Sequence, residues 1–258
     1  MPGLGLSLVG RGSKFVEDPI PFTGHWWKGP WCGDVTTSIE DAAVVAAWQP
    51  KWANNTLYFR TDVPNYANSK INLDNPGTHD AINGISNPTF DPSIGWTSIG
   101  ASYLDTDVIP ASDRTWSMVV AFNGLSLGIN TLAGCGSFVG GITARFGIQQ
   151  TEPIMGLPSA QFWNQHFRDT SNLISPTEGV LGLSGTSAYS LGLYSWGLQD
   201  IAANGNIATT IAIMAENDNG VMNNIMTGSW VAGAVYNRVL SAIEIAAVSR
   251  ALNIIRLA

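Results

Sequence analysis

From residue 115 to residue 122 apolar side chains fall on every second position. Trp116, Met118, Val120 and Phe122 alternate with Thr115, Ser117, Val119 and Ala121. A period of two marks a β-strand, because successive side chains point to opposite faces. This alternation predicts a strand buried on at least one face. Residues 56–61, 140–149, 179–183, 189–193, 207–215 and 230–237 read as further strands, and residues 96–104 combine aromatics and Gly with a short apolar run. Turn signals separate them. Asn75-Pro76-Gly77 and Asn87-Pro88 break the chain, and Asn204-Gly205 and Asp218-Asn219-Gly220 suit two-residue hairpin loops. Short strands at a spacing of about 8–12 residues, with little helix, predict a sandwich.

Two segments depart from this pattern toward helix. Thr37-Ser38-Ile39-Glu40 fits a capping box, the run from Asp41 to Trp48 continues it, and Pro50 stops it. Near the end, Ser241 and Glu244 form a second Ser-x-x-Glu box, with Leu240 and Ile245 spaced as a hydrophobic staple. That helix runs through Ala246, Ala247, Val248 and Ala251 and is expected to end near Asn253.

Residues 1–35 have no strong periodicity. Gly3, Gly5, Gly10 and Gly12 lie in an apolar stretch, followed by Pro19, Pro21 and the aromatic run Trp26, Trp27 and Trp31. This reads as an extended N-terminal arm whose large rings must be buried. They are buried either against the chain's own body, residues 36–258, or in a neighbouring subunit as an attachment or oligomerisation element.

Composition narrows the function. The chain has 258 residues, 12 Lys+Arg against 19 Asp+Glu, and a net charge of −7. Hydrophobic residues make up 45%, which excludes a disordered acidic tail. The acidic balance argues against nucleic acid, whose phosphates call for clustered Lys and Arg. No stretch approaches the length of an apolar membrane-spanning helix. The start lacks a basic region, a long apolar core and a small-residue cleavage site, so no signal peptide is expected. Only 12% of residues are charged, about half the roughly 25% of ordinary globular chains. A surface so poor in charge suits a subunit packed against copies of itself or other subunits.

The candidate chemistry is sparse. Cys32 and Cys135 are the two cysteines, and spacing leaves their pairing open. His25, His79 and His166 have no partner at metal-ligand spacing. Asp- and Asn-rich loops leave calcium open, but the 12-residue calcium-loop pattern is absent. No cofactor or metal is therefore expected. Neither a nucleophile elbow nor a phosphate-binding loop is present. Gln161-Phe162-Trp163-Asn164-Gln165-His166 combines an aromatic ring with amides, as sugar sites do. Trp163, Asn164 and His166 are ligand-binding candidates on that ground, and Asp218 and Asn219 form a second candidate pair at a hairpin.

The segment Ala234-Val-Tyr-Asn-Arg-Val-Leu-Ser-Ala-Ile-Glu-Ile245 is the most specific in the chain. It resembles the last strand and following helix of laminin-G-like, concanavalin A-like jelly-roll domains found in tailed-bacteriophage proteins. Ala47 to Lys51, residues 71–77, Gly95-Trp96, residues 103–106 and residues 115–118 look like the front half of the same domains. The resemblance covers residues 40–258 and leaves the arm outside. It implies an all-β antiparallel jelly-roll sandwich with two short helices. It also implies a virion structural protein, in a fibre, spike or surface decoration, contacting other virion subunits. A homotrimer and a host-surface glycan as partner come from the same source, with a free sugar-binding lectin as the alternative.

Jelly-roll glucanases of related fold carry Glu-x-Asp followed by a third carboxylate on one strand, matching the two-carboxylate requirement of glycoside hydrolysis. Here the Glu-x-Asp occurs once, as Glu216-Asn217-Asp218, at a hairpin and with no third carboxylate. A non-catalytic chain is therefore expected.

Overall fold

The computed structural model describes residues 25–28, 39–52, 60–112, 115–126, 128–139, 142–154, 157–165, 167–168, 173–174, 177–191, 193–197, 199–200 and 206–258. The expected strand at 56–61 and the Asn204-Gly205 turn lie wholly or mostly outside these residues, as do Thr37, Trp31, Cys32 and His166.

Two sheets face each other. The first, of eight strands, runs in the order Leu193–Gly197, Ser187–Ser190, Gly179–Ser184, Ser117–Asn123, Thr227–Tyr236, Gly95–Ile99 and Thr89–Asp91, with Val44–Trp48 also paired to Thr227–Tyr236. The second, of eleven strands, is centred on the meander Asn130–Val139, Ile142–Ile154 and Leu157–Gln165. Pairing is antiparallel throughout the named strands, except that Glu216–Asp218 runs parallel to Asn130–Val139. The chain is thus an all-β sandwich, the class its periodicity predicts, in keeping with the jelly-roll form that the resemblance implies.

The strand Ser117–Asn123 shows why period two was only part of the signal. Met118, Val120 and Phe122 enter the core between the sheets, against Leu132, Phe146, Ile148 and Phe162. Val119 and Ala121 face a second core, against Val248, Leu252 and Ile255 of the C-terminal helix Ala242–Leu257. Both faces are buried, so both sets of positions are apolar. In the first core Trp96 stacks on Trp230 with ring centroids 5.2 Å apart, and the Trp96 indole donates to Ser69 Oγ at 2.8 Å.

The helix expected at 37–48 is not formed. Asp41–Ala43 is a single 3-10 turn, and Val44–Trp48 is a strand in register with Thr227–Tyr236, Ala47 opposite Ala234 and Trp48 opposite Gly233. Its alanines favour helix, but the segment is apolar on every side. As a strand it places Ala46 and Trp48 in one core and Val44 and Ala47 in the other. Its outer edge is satisfied too: Asn72 Oδ1 accepts from Ala47 N, and Leu73 N donates to Ala47 O. Tertiary pairing outweighs local propensity here. The two helices are instead one turn, Tyr66–Ser69, capped by the Asn65 side chain, and Ala242–Leu257.

The C-terminal helix carries its expected box and staple. Ser241 accepts from Glu244 N while the Glu244 carboxylate accepts from Ser241 N, and Leu240 and Ile245 are both buried. The helix continues four residues past the expected Asn253. Ile255 is buried there, and Lys51 Nζ donates to Arg256 O at 2.8 Å, satisfying a terminal carbonyl. Two strand expectations also shift. Residues 189–193 are interrupted by Leu191, whose φ of 50° ends one strand before the next begins. Within 207–215, Ala212–Ile213 alone is a strand.

Trp26 and Trp27 belong to the body. Both are buried in the second core with Tyr236, Ala47 and Ile255. The Trp26 indole donates to Gln49 Oε1 at 2.9 Å, the Trp27 indole to Asp74 Oδ1 at 3.0 Å, and Tyr236 Oη to Trp27 O at 3.2 Å. Lys28 pairs with Asp74 at 2.6 Å. Of the two burial sites left open by the sequence, these rings take their own domain.

Candidate functional site

The central meander of the second sheet has two chemically different faces. Cross-strand register sorts them. One row joins Cys135, Phe146 and Asn164, and another joins Ala133, Ile148 and Phe162; these face the core. The intervening positions fall on the opposite face: Thr131, Gln149 and Gln161 in one row, Gly134, Gly147 and Trp163 in the next, and Gly136, Arg145 and Gln165 in a third. A strand places alternate residues on one face, so Arg145, Gly147 and Gln149 act together.

The glycines leave a notch. It is shallow, with room for about one water molecule and an exposed wall that is almost entirely apolar, and it is lined by Thr131, Gly134, Arg145, Gly147, Gln149 and Glu216 among others. Gly147 is demanded by the backbone, since a Cβ there would stand 2.7 Å from Ala133 O. Gly136 lets the Arg145 side chain lie across it, for a Cβ would stand 2.8 Å from Arg145 Cγ. Gly134 is under less pressure, with its nearest would-be contacts at 3.3 Å.

Polar groups stand at both ends of the notch. At one end Gln149 Nε2 donates to Thr131 Oγ1 at 3.1 Å. At the other, Arg145 Nε lies 3.0 Å from Glu216 Oε1, and Asn224 Nδ2 donates to Glu216 Oε2 at 3.1 Å. Arg145 and Glu216 are largely buried, with side chains 12% and 7% exposed. Burial pushes the Glu216 carboxyl above its usual value, and Arg145 and Asn224 hold part of that rise back. Behind the sheet Cys135 is a buried free thiol, raised far above the usual range by burial and by the nearby Glu216 charge.

The structure distributes the sequence candidates unevenly. Trp163 is opposite Gly147 in the register, beside the notch. Asn164, one residue on, is buried on the core face, where its amide donates to Trp116 O at 3.2 Å and Gly185 O at 2.7 Å. It ties the two sheets and is inaccessible to a ligand. His166 lies outside the described residues. Asn219 and Gly220 form the loop joining Glu216–Asp218 to Val221–Asn223, with φ of 51° and 85°, so the hairpin forms as its dipeptide predicts. Asp218 ends the strand that Glu216 begins.

Arg145, Gln149 and Thr131 were not singled out by sequence reasoning, and Glu216 was weighed only as a catalytic acid. A usable signal was present: Arg145, Gly147 and Gln149 alternate with core residues along one strand. Among the described residues, no group of three His, Cys, Asp or Glu could hold a metal ion, and no helix is long and apolar enough to cross a membrane.

No family model matches the chain, and no curated protein matches it. Among solved structures, it is similar to a mutant of Trypanosoma rangeli sialidase displaying trans-sialidase activity. The TM-score is 0.52 at 14% identity, covering 85% of this chain and 34% of that one. It also matches Ruminococcus gnavus IT-sialidase CBM40 bound to alpha2,3 sialyllactose, at a TM-score of 0.35 and 13% identity, over 55% of this chain and 83% of that one. The chain spans about a third of the sialidase's length. At such identity the first likeness is one of fold: a β-sandwich domain, carrying here a shallow glycine-floored notch.

Proposed function

We propose that the chain is a non-catalytic, glycan-binding subunit of a bacteriophage virion surface, assembled as a homotrimer into a fibre, spike or decoration. The observation that carries the binding part is the row of polar side chains Thr131, Gln149, Arg145 and Glu216 along one side of the meander, over Gly134, Gly136 and Gly147 and near the register position of Trp163. Sugar hydroxyls need such mixed donors and acceptors, and aromatic residues supply apolar surface for a ring. The fold shared with a sialidase supports a sugar-related reading at the level of architecture.

The virion part rests on the phage-like segments and on a surface poor in charge. Ile85 and Ile99 are 92% and 85% exposed, which suits contacts with neighbouring subunits. The non-catalytic part is supported by the role of Glu216, whose two oxygens are engaged by Arg145 and Asn224.

The test has two parts. Full-length chain on a glycan array is expected to give discrete signals without releasing reducing ends, and mass spectrometry of purified particles is expected to find the chain. Glycan binding with no particle incorporation would favour a free lectin. Reducing ends that disappear in Glu216→Gln would make the chain a hydrolase.

A further inference from the structure

Resting on the homotrimer reading above, we infer that copies of this chain meet along the rim formed by residues 82–104, where both sheets end. Ile82–Asn83 is the last strand of the second sheet, and Thr89–Asp91 is the last strand of the first. One stretch of chain thus supplies both edges, crossing between the sheets at residues 84–88 and again at residues 100–103. Among the described residues no further strand lies outside either edge. The backbone of Ile85, between Gly84 and Ser86, which both bond Tyr103, makes no hydrogen bond there. Open edges accept another chain, and proteins blunt them with charge where pairing is unwanted. Of residues 82–104, Asp91 alone is charged. Ile82, Ile85, Ile94 and Ile99 are all exposed along the same stretch, with Ile85 on the first crossing and Ile99 just before the second. Apolar surface gathered in this way is the kind that subunit contacts bury.

Charge selects a second copy as the occupant. The chain carries a net −7, so two copies repel over acidic surface and least where carboxylates are scarce, as along this rim. The two charges that border the rim have opposite sign. On the second-sheet side Lys70 Nζ donates to Asn83 Oδ1 at 2.9 Å and lies over the Tyr66 ring. On the first-sheet side Asp91 ends the edge strand, its carboxylate accepting from Ser93 N and Ser93 Oγ. Neither has an ionic partner among the described residues. Around a threefold axis one side of each rim meets the other side of the next. Lys70 of one copy then faces Asp91 of its neighbour, while Ile85 and Ile99 pack between the rims.

Size-exclusion chromatography with light scattering on the full-length chain tests this contact. The wild type is expected at the mass of a trimer. Ile85→Asp combined with Ile99→Asp changes two exposed side chains, so the thermal melt should hold while self-association weakens at least tenfold. Lys70→Glu and Asp91→Lys should each weaken assembly, and the two together should restore it, which a purely local role of either residue would not do. A trimer untouched by the isoleucine pair would overturn this rim as the contact and leave the homotrimer standing. Assembly unchanged in both single charge reversals would overturn the Lys70–Asp91 pairing. A wild type that stays monomeric would overturn the homotrimer, and this inference with it. If the isoleucine pair then still lost particle incorporation, the rim would belong to another virion subunit.

Discussion

Glu244 shows how much one side chain organises. Its carboxylate accepts from Ser241 N at 2.7 Å and pairs with both terminal nitrogens of Arg238, closing the corner between the last strand and the helix. Burial alone would raise its carboxyl, but the Arg238 and Ser241 hydrogen bonds outweigh it and hold it below the usual value. A carboxyl lowered on folding contributes stability above its unfolded value, and that contribution is lost as pH falls through the lower folded value. Glu216 has the opposite sign, since its raised carboxyl costs stability while ionised and the cost fades on acidification. Melting temperatures of wild type and Glu244→Gln, measured from pH 6 down to pH 3, should therefore converge. Near neutrality the substitution should cost about 1–3 kcal/mol, the worth of a charged hydrogen bond and a cap. Equal acid sensitivity in both proteins would contradict this role. Trp26 is the second such residue: it is fully buried with its indole bonded to Gln49. Trp26→Ala should cost about 3–5 kcal/mol in urea denaturation.

At the scale of elements, the Glu216–Asp218 hairpin and the strand Val44–Trp48 contrast. The hairpin was legible because its loop chemistry is local. Asn219 and Gly220 both adopt positive φ, and Asn217 Oδ1 accepts from Gly220 N at 2.9 Å. A Cβ at Gly220 would meet nothing within 4 Å, so Gly220→Ala isolates the backbone strain. It should destabilise by about 1 kcal/mol without altering the core, a change visible as a small shift in the urea midpoint at constant slope. Val44–Trp48 was misread because its alanines and the Thr37-x-x-Glu40 box are local signals for helix. What decides the matter is distant: the ladder to Thr227–Tyr236 and the amide of Asn72. The Tyr236–Ile245 segment was legible for a third reason. Each of its marked residues serves the same corner, with Tyr236 buried, Asn237 bonded to Ala42 O, Arg238 on Glu244, Leu240 as staple and Ser241 as cap.

For the whole molecule, the placement of Trp26 and Trp27 changes where the arm can be cut. Deleting residues 1–35 removes two rings from the second core along with any attachment function. Deleting residues 1–24 leaves both rings and their bonds to Gln49 and Asp74 in place. The shorter deletion should keep the wild-type melting temperature and glycan binding, whereas the longer one should lower the melt by well over 5 °C. Particle incorporation is then read cleanly with the shorter deletion alone. A loss of incorporation there would assign attachment to residues 1–24, and full incorporation would assign it to the body.

The sequence by itself determined the all-β class, the capped terminal helix and the hairpin at Asn219-Gly220, because period-two burial, capping and turn chemistry act between residues close in the chain. Only the tertiary structure decided that Val44–Trp48 is a strand, that Trp26 and Trp27 face their own domain, and that Asn164 turns inward while Trp163 sits beside Gly147. It alone brought Glu216 to Arg145, 71 positions apart, across Gly134 and Gly136. Such outcomes depend on register, and a shift of one residue exchanges the two faces of a strand. Register is set by packing between segments that no local pattern links.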